Sequence, residues 1–236
     1  MINELREKIK EEADSEKAKN LQRFFKTGDG EYGEGDVFLG ITVPKQRKII
    51  KEFKDKITLK DAEELLRSKI HEERLIALLL LIEKYKKANL EGKKDIFDFY
   101  LKNTARINNW DLVDLSAPNI VGDFLLDKKQ EREILYKLAK SDSLWEKRIS
   151  IISCFGFIRQ GDFKDALAIS EILLKDKHDL IHKAVGWALR EIGKKDQQIE
   201  EKFLQKHYKN MPRTMLRYSI EKFPESLRKR YLNGEI

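Results

Sequence analysis

Three tryptophans, each set among charged residues, are the side chains of this chain best suited to chemistry. Asn109-Trp110-Asp111-Leu112-Val113-Asp114 forms the first group, Trp145-Glu146-Lys147-Arg148 the second, and Gly186-Trp187-Ala188-Leu189-Arg190-Glu191 the third. Flat rings beside carboxylates and guanidinium groups suit a surface that holds a sugar-phosphate chain and acts on it. Base stacking, attraction of cations to ring faces and phosphate clamping all use these side chains. Asp114 lies one helical turn after Trp110, so ring and carboxylate can address one site. Asp111 shares a face with Asp114 and fits equally a role in bracing the helix start, where negative charge is favoured. Ordinary core packing is the alternative for each tryptophan.

Cations recur near these rings. Arg148 shares a face with Leu144, Ile152 and Phe155, at that face's edge. Lys183, Trp187, Arg190 and Lys194 follow at three- and four-residue steps, and Arg213 and Arg217 are four apart, so each set lies on one helix face. A cationic ridge on each of three successive helices matches the repeating phosphates of a duplex strand, arginine as a fork and lysine as a point charge. A solvated outer face is the competing explanation.

Other chemistries find less support. The histidines are His71, His178, His182 and His207. His178 and His182 have the spacing of a zinc-hydrolase helix, but Asp179 stands where that pattern needs glutamate, and no third ligand is evident. The expectation is a function without metal or other cofactor. Gly28, Gly30, Gly33 and Gly35 crowd one loop, yet their spacing does not fit a phosphate-binding loop, and no Lys-Ser or Lys-Thr pair follows. The lone Cys154 sits in an apolar run, which excludes an internal disulfide framework and predicts a buried, inert thiol. With no leader-like N-terminus and no run approaching the ~18 apolar residues of a membrane span, a cytoplasmic setting is expected.

The elements that must position these residues are all helical. Hydrophobic residues make up 41% of the chain, which excludes general disorder. The net charge of +7 is unevenly spread: Lys45–Lys56 and Glu201–Ile236 are both strongly basic. A helix is predicted from Asn3 to Lys26 with a break near Asp14-Ser15. Further helices are predicted at Pro44–Phe53, Leu59–Leu66, His71–Tyr85, Lys93–Lys102, Trp110–Leu115, Pro118–Leu125 and Gln130–Ala139. The remainder are Ser143–Arg159, Phe163–Leu173, His178–Ile192, Asp196–Lys206, Pro212–Phe223 and Pro224–Leu232. No stretch alternates at period two, so no strand is predicted. Helix starts near 143, 178 and 212 recur about every 35 residues, and paired helices with one apolar stripe each must stack to bury it. The expected fold is an all-α solenoid of HEAT-like repeats, a right-handed superhelix forming a single domain over residues 1–236.

Phe38-Leu39-Gly40-Ile41, Pro44-Lys45-Gln46-Arg47, Trp110-Asp111-Leu112-Val113-Asp114, Trp145 through Arg148, and Gly186-Trp187 through Arg190-Glu191 together resemble the AlkD family of DNA alkylation repair enzymes. The motifs keep the family's order from about Phe24 to Lys222. The resemblance implies a curved stack of HEAT-like repeats with duplex DNA on its concave face. The implied activity is metal-free, monofunctional hydrolysis of the N-glycosidic bond of positively charged alkylated purines, chiefly 7-methylguanine and 3-methyladenine. By position it implies Asp114 as the catalytic carboxylate, Trp110 and Trp187 against the sugar, and Arg148 and Arg190 on phosphates. Lys183, Arg213 and Arg217 would add to the DNA-binding surface. Phe24 stands where the family has a tyrosine near the lesion, Asn109 replaces the first residue of an aromatic pair, and the Gly28–Gly35 loop is longer than in the shortest members. The implied partner is double-stranded DNA carrying alkylated bases, with no membrane and no obligate protein partner. A catalytically silent HEAT-repeat nucleic-acid binder or scaffold is the alternative, and release of a methylated base separates the two.

Overall fold

The computed structural model describes residues 1–236, which divide into two compact units, Met1–Ser116 and Ala117–Ile236. In the first unit the expected long N-terminal helix is two, α1 (Ile2–Glu11) and α2 (Ser15–Phe24). Asp14 makes the break: its carboxylate accepts the Lys17 N–H at 3.0 Å and caps α2. α3 (Val43–Phe53) carries Pro44 in its first turn. α4 (Leu59–Leu66) opens on a capping box between Thr58 and Asp61. α5 (His71–Lys87) packs against both α3 and α4 and is buried on all sides from His71 to Ile82. A helix apolar all round, as Leu75–Ile82 is, must be a core helix. Each such leucine or isoleucine contributes about 1.5–3 kcal/mol. α6 (Leu90–Lys102) starts on the Asn89 cap, and α7 (Trp110–Ala117) follows a short 3-10 turn. The unit division falls within the last turn of α7.

The second unit begins with a π-turn, Pro118–Gly122, and α8 (Asp123–Leu125), then α9 (Glu133–Ala139). The helix predicted over 143–159 is instead α10 (Leu144–Ser153) and α11 (Phe155–Arg159), separated at Cys154. α12 (Lys164–Leu173), α13 (Asp179–Gly193), α14 (Gln197–His207), α15 (Arg213–Ser219) and α16 (Glu225–Asn233) complete the chain. The starts of α10, α13 and α15 keep the predicted rhythm. α13 is the centre of this unit, packing on α10, α12, α14 and α15. Gly186 allows its closest approach: a Cβ there would lie 2.5 Å from both the Met215 carbonyl oxygen and the Tyr218 Cβ.

The fold is therefore all-α and built of helical repeats of the HEAT-like kind. The one β feature is an isolated bridge between Val37 and Ile70. No helix is long and apolar enough to cross a membrane.

Candidate active site

The first turn of α5 organises the first unit. His71, Glu72, Glu73 and Arg74 are all buried, and together they bond α1, the loop before α3 and α7. Glu72 accepts the backbone N–H groups of Leu39 (3.0 Å), Gly40 (2.8 Å) and Ile41 (3.2 Å). That cradle holds a loop in which Gly40 has φ +84°, a left-handed conformation natural to glycine. Glu73 pairs with Arg6 of α1, and Arg74 with Asp36 at 2.7 Å. The His71 ring lies between two carboxylates, Nδ1 at 3.1 Å from Asp36 and Nε2 at 2.8 Å from Asp111. Asn109, fully buried, donates to Asp36 at 3.2 Å and accepts the Trp110 N–H at 2.8 Å. The residue that departs from the family's aromatic pair is thus part of this network.

Burial alone would lower the His71 pKa, but Asp111 and Asp36 outweigh it and Arg74 opposes them only weakly, so it is pushed up to about 8. Burial alone would raise Asp36, but His71 and Arg74 hold it below the usual carboxylate range. The ring is an imidazolium at neutral pH, donating from both nitrogens.

A continuous aromatic stack joins this charge cluster to Trp110. The His71 ring stacks on Phe38 (4.4 Å, 21°), Phe38 on Phe25 (4.9 Å, 24°) and Phe25 on Trp110 (5.1 Å, 11°). Phe24 meets Trp110 edge-on at 5.9 Å and is 63% exposed. Trp110 is half-buried, so one part of the indole is fixed while the rest faces outward with Phe24. One turn on, Asp114 is also half-buried. Burial raises the pKa of Tyr100 against the opposing bond of its hydroxyl with Ser116 at 2.9 Å, and the Asp114 charge adds a smaller rise. Asp111, weighed from sequence as a brace for the helix start, does brace it, through His71 and through the Leu112 N–H at 2.9 Å.

In the second unit, Trp187 is half-buried, edge-on to Phe155 at 4.6 Å, and donates its indole N–H to Glu191 at 3.1 Å. Arg190 is ion-paired to Glu221 and lies 3.8 Å from Glu191. Lys183 pairs with Asp179 at 2.7 Å. Arg213 and Arg217 are exposed on α15, the former donating to the Leu232 carbonyl at 2.6 Å. Arg148 does not extend the cationic ridge onto α10: it is buried, and its guanidinium donates to the Leu180 carbonyl at 2.6 Å. Its apolar helix neighbours Leu144, Ile152 and Phe155 carry it inward.

The histidines of α13 are structural. His178 caps the helix by accepting the Leu180 N–H, and His182 bonds the Asp176 carbonyl at 2.6 Å. No three His, Cys, Asp or Glu side chains are grouped to hold a metal ion. Cys154 is buried, its thiol pKa pushed up by burial. The sequence patterns passed over Asp36, His71 and Glu72 as site residues. The available signal was the run His-Glu-Glu-Arg directly before an unbroken apolar helix, since a helix buried all round must find partners for its charged first turn.

Comparison with known proteins bears on the family and the fold. The family model for DNA alkylation repair enzymes matches residues 5–223. No curated protein matches the chain. Among solved structures, a protein from Enterococcus faecalis described as a predicted DNA alkylation repair enzyme aligns with TM-score 0.73 and 17% identity over 91% of this chain and 98% of its own. AlkD2 from Streptococcus mutans aligns with TM-score 0.56 and 19% identity over 89% and 99%. The smu.31 protein of Streptococcus mutans UA159 gives 0.53 and 20% over 76% and 91%. These structures share the fold. With the family model spanning nearly the whole helical array, including the Trp110 helix and the Trp187 helix, the chain belongs to the DNA alkylation repair enzyme family.

Proposed function

We propose that the protein is a DNA glycosylase that releases positively charged alkylated purines, 7-methylguanine and 3-methyladenine, from duplex DNA. The observation that carries the proposal is the half-buried Trp110, stacked on Phe25, with the exposed Phe24 at its edge and the Asp114 carboxylate one turn along α7. An alkylated purine carries a positive charge, so the C1′–N bond breaks with its electron pair passing to the ring nitrogen and the base leaves neutral. The deoxyribose is left as an oxocarbenium-like cation. Asp114 stabilises that charge and orients a water; the water oxygen bonds C1′ and its proton passes to the carboxylate. Trp110 supplies a ring face to the sugar, with attraction to the developing cation, and the family resemblance implies the same role for Trp187. Lys183, Arg190, Arg213 and Arg217 bind phosphates, Arg190 exchanging its glutamate partners for them, and Arg148 supports this surface from within. No group need protonate the departing base, because it leaves neutral.

The test is Asp114→Asn. Single-turnover release of 7-methylguanine should drop at least ~10-fold, the lower part of the range for losing one transition-state electrostatic contact. Thermal melting and duplex affinity should stay near those of the parent. Undiminished release by the folded variant removes the catalytic role. A parent that releases neither methylated base from duplex DNA is a binding protein rather than a glycosylase.

A further inference from the structure

We propose that His71 is a positioning residue for the excision reaction: held between Asp36 and Asp111, it fixes the first turn of α7 and thereby aims Trp110 and Asp114. The inference rests on the glycosylase reading for its link to excision, and on geometry for the link to Trp110. Two independent paths join His71 to the indole. One is polar: Nε2 to Asp111, the residue after Trp110, at 2.8 Å. The other is the ring stack through Phe38 and Phe25, which ends flat against Trp110. Asp36 ties the same ring to Asn109, the residue before Trp110, so the tryptophan is gripped on both sides along the chain.

His71 is 2% exposed and contacts no solvent-facing site of its own, so its charge serves what it holds. The groups that face it are Asp36 from the loop before α3, Asp111 from α7, and Arg74 from its own helix. The end of α2 and the same loop add the rings of Phe25 and Phe38, which carry no charge. Two acids and two bases form a neutral buried set while the ring is doubly protonated. Loss of one ring proton leaves a lone pair facing a carboxylate and an unbalanced charge in the core. Asp111 is then released, and the first turn of α7 loosens. Since burial and the two carboxylates set the His71 pKa at about 8, this release falls in the mildly alkaline range.

The experiment follows three signals in the full-length protein across that range. These are the His71 ring resonances, the Trp110 indole N–H resonance (assigned with Trp110→Phe), and single-turnover release of 7-methylguanine. The expected result is that the indole signal moves with the His71 titration, and that excision falls with it while duplex affinity changes less than about 2-fold, because phosphate contacts lie elsewhere. His71→Gln should excise at least ~10-fold more slowly at neutral pH, with the alkaline fall abolished, since small misplacements of reacting groups cost that much or more. An indole signal that stays fixed while His71 titrates overturns the inference, as does a His71→Gln protein with parental excision and parental pH profile. If that variant fails to fold, the parent's titration decides alone. If the parent releases no base, the glycosylase reading fails, while the indole signal still decides whether His71 positions Trp110.

Discussion

Trp110 rests on a stack of rings that ends in buried charge, whereas Trp187 leans on one phenyl edge and donates its indole N–H to a carboxylate near the surface. The charged groups differ in the same sense. In the first unit the side chains of His71, Asp36 and Arg74 are 3–5% exposed. In the second, Arg190 pairs with glutamates whose side chains are 25% and 44% exposed. Breaking a buried pair costs about 3–5 kcal/mol, while an exposed pair is worth about 0–1 kcal/mol. On the proposed reading, the first unit thus holds Trp110 in one geometry before any substrate arrives. The second keeps its cations on partially exposed partners, which on the same reading a phosphate can replace. Rigid positioning suits the group that meets developing charge, and exchangeable pairing suits the groups that must grip a polyanion and let it go.

The largest expected effect is on the buried side. Asp36→Ala removes the partner of both His71 and Arg74 and should lower stability by about 3–5 kcal/mol, read from urea unfolding. A cost below about 1 kcal/mol would make the two units equivalent and erase the contrast.

Glu200 sharpens the comparison, because the second unit has a buried acid without such a network. It is 1% exposed, its Oε1 has no hydrogen-bond partner, and burial, aided by Glu201, raises its pKa to about 9. A folded-state pKa above the unfolded one means that this group's contribution is fully present below about pH 4.5 and is lost as pH rises to about 9. Glu200→Gln should therefore stabilise the protein at neutral pH, by about 3 kcal/mol. His71 has the same sign, its contribution being full below about pH 6.5 and lost as pH passes about 8. The variant should consequently keep only the narrower alkaline loss that belongs to His71. Melting curves from acid to alkaline pH check both; a variant no more stable than the parent at neutral pH would show that Glu200 is ionised in the fold.

The close approach of α13 to α15 at Gly186 sets where the Trp187 helix lies, which Gly186→Ala tests. The added methyl meets the Met215 carbonyl and Tyr218 at 2.5 Å, so α13 must move off α15 at a cost of about 1–3 kcal/mol. The Trp187 emission should shift, and the Trp110 indole resonance should not. Unchanged melting would mean that α15 yields without strain.

Much of the helix array was legible from local signals. Leu59–Leu66 was bounded by the Thr58 capping box, and the Asp14 break had a capping residue to announce it. The break at Cys154 had none, because Ile151-Ile152-Ser153-Cys154-Phe155 continues an apolar helical pattern and only the packing of α10 and α11 divides it. At the site, the pairing of Trp110 with Asp114 followed from helix spacing. The His71 network did not, since its ring bonds residues 35 and 40 positions away, and no periodicity links positions that far apart. Arg148 carries both signals: its charge fits the cationic pattern, and the three apolar residues on its face describe the buried position it takes.

The smallest expected change in stability is Glu221→Gln, below about 1 kcal/mol, since the pair with Arg190 is solvent-accessible. Its effect on DNA should nonetheless be measurable. A phosphate approaching Arg190 must displace the Glu221 carboxylate, and the amide neither competes as a charge nor repels the strand. Duplex affinity should rise about 2- to 5-fold at low salt and the gain should shrink as salt screens the competing carboxylate. Removing any negative charge from a DNA-binding protein helps somewhat, so the control is Glu225→Gln, which removes the same charge from an exposed pair with Lys229 on α16. A larger gain for Glu221→Gln than for Glu225→Gln identifies Arg190 as a cation held in reserve by an exchangeable partner. Equal gains would assign both effects to net charge, leave Arg190 as a structural residue of α13, and confine the functional contrast between the units to the rigid side around Trp110.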